Sequence, residues 1–114
     1  MSVKKITAKE LHERLQAREN VMILDVRANE KYNKFHIEDS HVESRNIPKT
    51  EIFELDENMD KQLTLPKDRE VIVTCTTGNS AAKCANIFDR KNYQVTLLEG
   101  GVTAWKDFLK SLED

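Results

Sequence analysis

Val71-Ile72-Val73-Thr74-Cys75-Thr76-Thr77-Gly78-Asn79-Ser80-Ala81 is the stretch that decides the fold. A β-branched apolar run ends in a cysteine, a short polar turn with one glycine follows, and a helix-like pattern opens near Ala81. That succession reads as strand, tight loop, helix. The first N–H groups of a helix have no intrahelical partner, and the helix dipole is positive at that end. The pattern therefore predicts a cradle of main-chain donors around Cys75, with an anionic sulfur as its natural occupant. Gly78 is expected to turn the backbone at positive φ, Asn79 or Ser80 to cap the helix, and Thr76 and Thr77 to offer hydroxyl donors. The plainer alternative for Cys75 is a small apolar residue at the end of a strand.

Outward from this stretch the chain alternates. Thr7-Ala8-Lys9-Glu10 has the form of a capping box and predicts a helix to about residue 18, with Leu11 and Leu15 on its inner face and His12, Glu13 and Arg14 toward solvent. Residues 21–26 are short and branched, as in a buried strand that runs into Asp25 and Arg27. A short helix packing Tyr32 and Phe35 is expected over 28–35, a brief strand at Asn46-Ile47-Pro48, and a further helix from Thr50 to about Met59. The charged residues 56–69, with Pro66, read as a surface loop. Residues 71–74 then form the central strand, 81–91 a helix, 95–98 a strand, and 102–112 a final helix with Val102, Trp105, Phe108, Leu109 and Leu112 on one stripe. Near-continuous apolar strands alternating with helices predict an α/β fold: a parallel sheet with helices on both faces and the site at the carboxyl ends of the strands.

The 114 residues suit one domain, spanning 1–114. Eighteen basic and twenty acidic side chains leave a net charge of −2, which offers no field to recruit nucleic acid or an anionic membrane. No run approaches the roughly 20 apolar residues of a membrane span, and Lys4 and Lys5 are followed by no apolar leader. A cytoplasmic location is the expectation. Cys75 and Cys84 have neither zinc-site nor C-x-x-C spacing and are expected as reduced thiols. Pairing them would require Cα atoms within about 7 Å across a helix start. His36 and His41 match no metal-ligand spacing, so no metal is expected.

Five elements in order now carry a resemblance: Leu24-Asp25-Val26-Arg27, Asn46-Ile47-Pro48, the loop from Cys75, Leu98-Glu99-Gly100-Gly101-Val102, and Trp105. Together they resemble the single-domain rhodanese-like sulfurtransferases, over nearly the whole chain. The resemblance implies a sheet of about five strands and a catalytic Cys75 that takes a sulfane sulfur, holds it as a persulfide and passes it on. It implies no cofactor beyond that covalent persulfide. The partners implied are a small sulfur donor, a persulfide or thiosulfate, and a thiol acceptor or sulfur-carrier protein. Residues 76–80 would form the binding loop. Asp25 and Arg27 would lie at the pocket rim, with a buried ion pair or an N-cap as the alternative.

The loop departs from its relatives in two ways. Related dual-specificity phosphatases of the cell cycle close a longer loop with an arginine; Ala81 stands at that place and cannot grip a phosphate. Many rhodanese-like loops also carry Arg or Lys for the sulfonate of thiosulfate, where this chain has Thr76 and Ser80. An uncharged loop still offers main-chain donors, so a low-molecular-weight persulfide or a partner protein's persulfide is expected as donor at least as readily as thiosulfate. The family's Gly-His-Ile segment maps to either His36-Ile37 or His41-Val42, neither preceded by glycine. Cys84 is expected in the core, and Gly100-Gly101 and Trp105 as a tight turn and an anchor for the last helix. Three further readings stay open: a non-catalytic binding or regulatory module, one domain of a longer sulfur-handling protein, and arsenate reduction.

Overall fold

A computed structural model describes residues 3–57 and 65–113. The strands are β1 (Lys4–Ile6), β2 (Val21–Asp25), β3 (Val42–Asn46), β4 (Glu70–Thr74) and β5 (Gln94–Leu98). They pair in the order β1-β5-β4-β2-β3, every pair parallel. The helices are α1 (Ala8–Gln16), α2 (Asn29–Lys34), α3 (Lys49–Glu57), α4 (Asn79–Arg90) and α5 (Gly101–Ser111). The expected five-stranded parallel α/β architecture is what the chain adopts, with β4 at its centre.

Side-chain alternation divides the core. Met22 and Leu24 of β2, with Val71 and Val73 of β4, face Ile52 of α3 and Ala81, Cys84, Ala85 and Phe88 of α4. Val21, Ile23 and Ile72 face Leu11 and Leu15 of α1 and Trp105 of α5. Both faces are therefore covered, which explains why β2 and β4 read as unbroken apolar runs. Phe88 is fully buried and stacks edge-on against Tyr93 at 5.4 Å. Phe88→Ala is expected to cost about 3–5 kcal/mol, seen as a lower urea midpoint with an unchanged slope.

Several expectations need correction. β1 has no apolar signature in the sequence, because only Ile6 of its three residues is buried while Lys4 and Lys5 face outward. Edge strands of that kind carry little apolar signal. The strand expected at 46–48 instead begins at Val42 and ends at Asn46, again at an edge, where Glu43 and Arg45 pair on the outer surface at 2.8 Å. On α1 the capping box forms as expected, with Thr7 and Glu10 exchanging bonds, but His12 and Arg14 do not point to solvent. His12 lies half-buried against Phe108, and Arg14 bonds Glu70 at 2.8 Å. Burial pushes the Glu70 carboxyl up, yet the bonds from Arg14 and Thr96 outweigh it and hold the group below the usual carboxylate value. α2 itself buries no residue: Phe35, at its C-cap, packs half-buried against the core as expected, whereas Tyr32 bonds Ser44 and stacks on His36. Asp56 lies in α3 rather than in a loop, Leu65 is buried in the core, and Met59 falls outside the described residues. Leu112, placed on the inner stripe of the last helix by its spacing, is 52% exposed: α5 ends at Ser111, and Leu112 is its C-cap.

Candidate active site

β4 ends at Thr74, buried between β2 and β5, so Cys75 is the first residue beyond the sheet. The chain then reverses through Gly78, whose φ of 103° is open to glycine and strained for other residues. α4 starts directly after it. The Gly78 N–H donates to Cys75 Sγ at 3.0 Å and the Ala81 N–H donates to the same sulfur at 3.3 Å. Neither Asn79 nor Ser80 caps α4, contrary to expectation: Gly78 occupies the N-cap position and offers no side chain. The cysteine sulfur accepts the free Ala81 donor that a capping oxygen would otherwise have taken.

A second helix holds the loop from behind. The free N–H groups of Val102 and Thr103, in the first turn of α5, donate to the carbonyls of Cys75 (2.8 Å) and Thr76 (3.0 Å). Gly101 makes this approach possible. Its φ is +62°, and a Cβ there would stand 2.3 Å from the Cys75 carbonyl oxygen and 2.8 Å from the Thr76 carbonyl carbon. The Gly-Gly pair thus serves the loop as well as the turn into α5.

Cys75 is 5% exposed and lies in a pocket of about 350 Å³. Thr76, Thr77, Asn79 and Ser80 line the same pocket, together with Arg27. Asp25 does not line it. It is buried beneath, receiving the Arg27 main-chain N–H and a forked bond from the guanidinium, with Nη2 at 2.7 Å from Oδ2. Arg27 also donates to the Phe35 carbonyl, and Asn46 Nδ2 bridges the carbonyls of Asp25 and Arg27. The two open readings of this pair therefore divide: a buried ion pair whose arginine alone reaches the pocket wall.

Residues 7–108 match the family described as Rhodanese-like domain. The chain belongs to the rhodanese-like family. A Bacillus subtilis relative described as "Putative sulfurtransferase YtwF" is 27% identical over 106 residues, covering 93% of each chain. A crystal structure of a rhodanese-related protein from Thermoplasma volcanium superposes with a TM-score of 0.70 at 28% identity, covering 92% of each chain. A rhodanese-like domain protein from Staphylococcus aureus superposes with a TM-score of 0.71 at 25% identity, over 90% of this chain and 91% of its own.

In this rhodanese-like domain Lys49 belongs to no motif that sequence spacing reveals. It opens α3, bonds its main-chain N–H to the Val26 carbonyl at 2.9 Å, and brings Nζ within 3.4 Å of Ser80 Oγ. Lys31 of α2 reaches the same pocket. The loop is uncharged, as the sequence says, but its surroundings are not. The two histidines do not converge: His36 bonds the Tyr32 carbonyl and Glu38, whereas His41 bonds Asn20. Ile37 is buried within the core and Val42 packs half-buried against the same cluster, so His36-Ile37 is the pair whose apolar member is fully enclosed.

Cys84 is fully buried on α4, and both cysteines are free. Burial pushes its thiol up to about 12, Cys75 adds to the rise, and the Lys49 ammonium opposes it. Iodoacetamide at pH 8 is therefore expected to label Cys75 and spare Cys84 in the folded protein, read by intact mass and peptide mapping. The folded thiol titrates above its ordinary value of 9.0, so its contribution to stability is complete below about pH 9 and is lost as pH rises toward 12. A Cys84→Ala variant should lose less stability than the wild type between pH 8 and pH 10.5.

Proposed function

We propose that this rhodanese-like domain is a sulfurtransferase with Cys75 as its sulfur-carrying nucleophile. The observation that carries the reading is the convergence of the Gly78 and Ala81 N–H groups on Sγ. An anionic sulfur accepts two such bonds better than a neutral thiol does. In the first half-reaction the Cys75 thiolate attacks the sulfane sulfur of a donor. The donor S–S bond breaks and its electron pair leaves with sulfite or with a thiolate, while Cys75 gains an S–S bond as a persulfide. In the second, an acceptor thiolate attacks the terminal sulfur and the electron pair of the broken bond returns to Cys75. No net redox change and no cofactor are required. The pocket volume suits a terminal sulfur with a small donor. Two free thiols fit a reducing compartment such as the cytoplasm, and among the described residues no helix is long and apolar enough to cross a membrane.

The test is the mass of the reduced protein after incubation with thiosulfate or glutathione persulfide and removal of the donor. A gain of one sulfur atom, mapped to Cys75 and discharged by added thiol, is the expected result. The slight exposure of Cys75 favours a second reading, a binding module that keeps the fold without the chemistry. A folded protein that gains sulfur from neither donor would establish that reading instead.

A further inference from the structure

We infer that Lys49, assisted by Lys31, holds the anionic leaving end of the sulfur donor in place of a cation within the loop. The inference rests on the sulfurtransferase reading for its substrate, but its structural basis is separate. Thiosulfate is a dianion, and a thiolate that attacks it meets like charge. The departing sulfite keeps the electron pair of the broken S–S bond, so negative charge accumulates on the leaving oxygens as transfer proceeds. A cation beside them lowers the barrier in both respects.

The loop itself supplies no such cation, having Thr76, Thr77, Asn79 and Ser80 around the sulfur. Arg27 reaches the wall of the pocket, but its charge is matched by Asp25 beneath it. Lys49 and Lys31 remain, and no described residue lining the pocket is acidic. Lys49 is exposed, its backbone is pinned to Val26, and its ammonium already lies against Ser80 at the start of α4. Its field reaches the thiol of Cys84 beneath the loop, where the influence of Cys75 is also felt. The pocket should consequently favour a small anionic donor such as thiosulfate over a donor with an uncharged leaving end.

The test compares the rates at which iodoacetate and iodoacetamide alkylate Cys75 at low ionic strength. The two reagents carry the same leaving group and differ in charge, and neither needs sulfur-transfer activity. Lys49→Gln is expected to lower the iodoacetate-to-iodoacetamide rate ratio about 3- to 10-fold, as for one charge several ångströms from the reacting atom at high effective dielectric. Lys49→Arg should restore the ratio, and adding Lys31→Gln to Lys49→Gln should lower it further. An unchanged ratio in Lys49→Gln overturns the inference, as does an equal fall in both rates, since loss of structure or of thiolate slows both reagents alike. The ratio falling in a protein that gains sulfur from no donor would keep the anion site and remove the sulfurtransferase reading. Where sulfur transfer is found, KM for thiosulfate should rise in Lys49→Gln by a similar factor, and an unmoved KM counts against the inference.

Discussion

Cys75→Ser is expected to abolish sulfur uptake and turnover while leaving the protein folded. The serine oxygen is close in size to the sulfur and still accepts from Gly78 and Ala81, so the loop keeps its two anchoring bonds. The change removes the chemistry, because an alcohol is scarcely ionised at neutral pH and forms no stable bond to sulfane sulfur. A melting temperature within a few degrees of wild type, together with no mass gain from either donor, is the predicted pair of results. Cys84→Ala supplies the contrast: it removes a buried sulfur from the core and should lower stability by about 1–2 kcal/mol, yet it should still load one sulfur atom. Turnover retained in folded Cys75→Ser would rule out the persulfide mechanism.

Gly101→Ala should do the reverse, damaging the site through its scaffold. Alanine at φ +62° is strained, and its Cβ would overlap the carbonyl of Cys75, which cannot rotate away without losing its bond from Val102. Strain of about 1 kcal/mol for the left-handed backbone, with about 1–3 kcal/mol for the overlap, gives an expected loss of about 2–4 kcal/mol. Relief by moving the loop shifts Sγ relative to its donors, and a displacement near 1 Å costs about 100-fold in rate. Urea denaturation and persulfide-loading rates below the melting transition would measure the two effects. Gly100→Ala is the informative comparison. There the added methyl meets Ala104 within α5 instead of the loop, so stability should fall with a much smaller effect on the rate of loading.

The parallel sheet was legible because β2 and β4 are short, branched and apolar on both faces, which few other structures require. The Cys75 junction was legible because a strand, a cysteine, a glycine and a helix stand in immediate succession. What escaped were the edges. β1 and β3 lie at the two ends of the sheet, where lysines, Glu43 and Arg45 face water and blur the apolar pattern. Asn79 and Ser80 have the right chemistry to cap α4, but the turn at Gly78 opens the helix at Asn79, two residues before Ala81, and presents its donors to the sulfur.

The sequence by itself determined the alternation of the inner strands with helices, the place of Cys75 at a strand's carboxyl end and the neutrality of its loop, because each follows from local periodicity or from residue type. Only the tertiary structure decided what surrounds the sulfur. Gly101 touches the Cys75 backbone, and Lys49 stands beside Ser80, across separations of 26 and 31 residues. Parallel pairing sets β2 beside β4 and packs α3 against α4, so helix starts that are remote in the chain arrive at one end of the sheet. Proximity of that kind is a property of chain topology, and no spacing within a single motif encodes it.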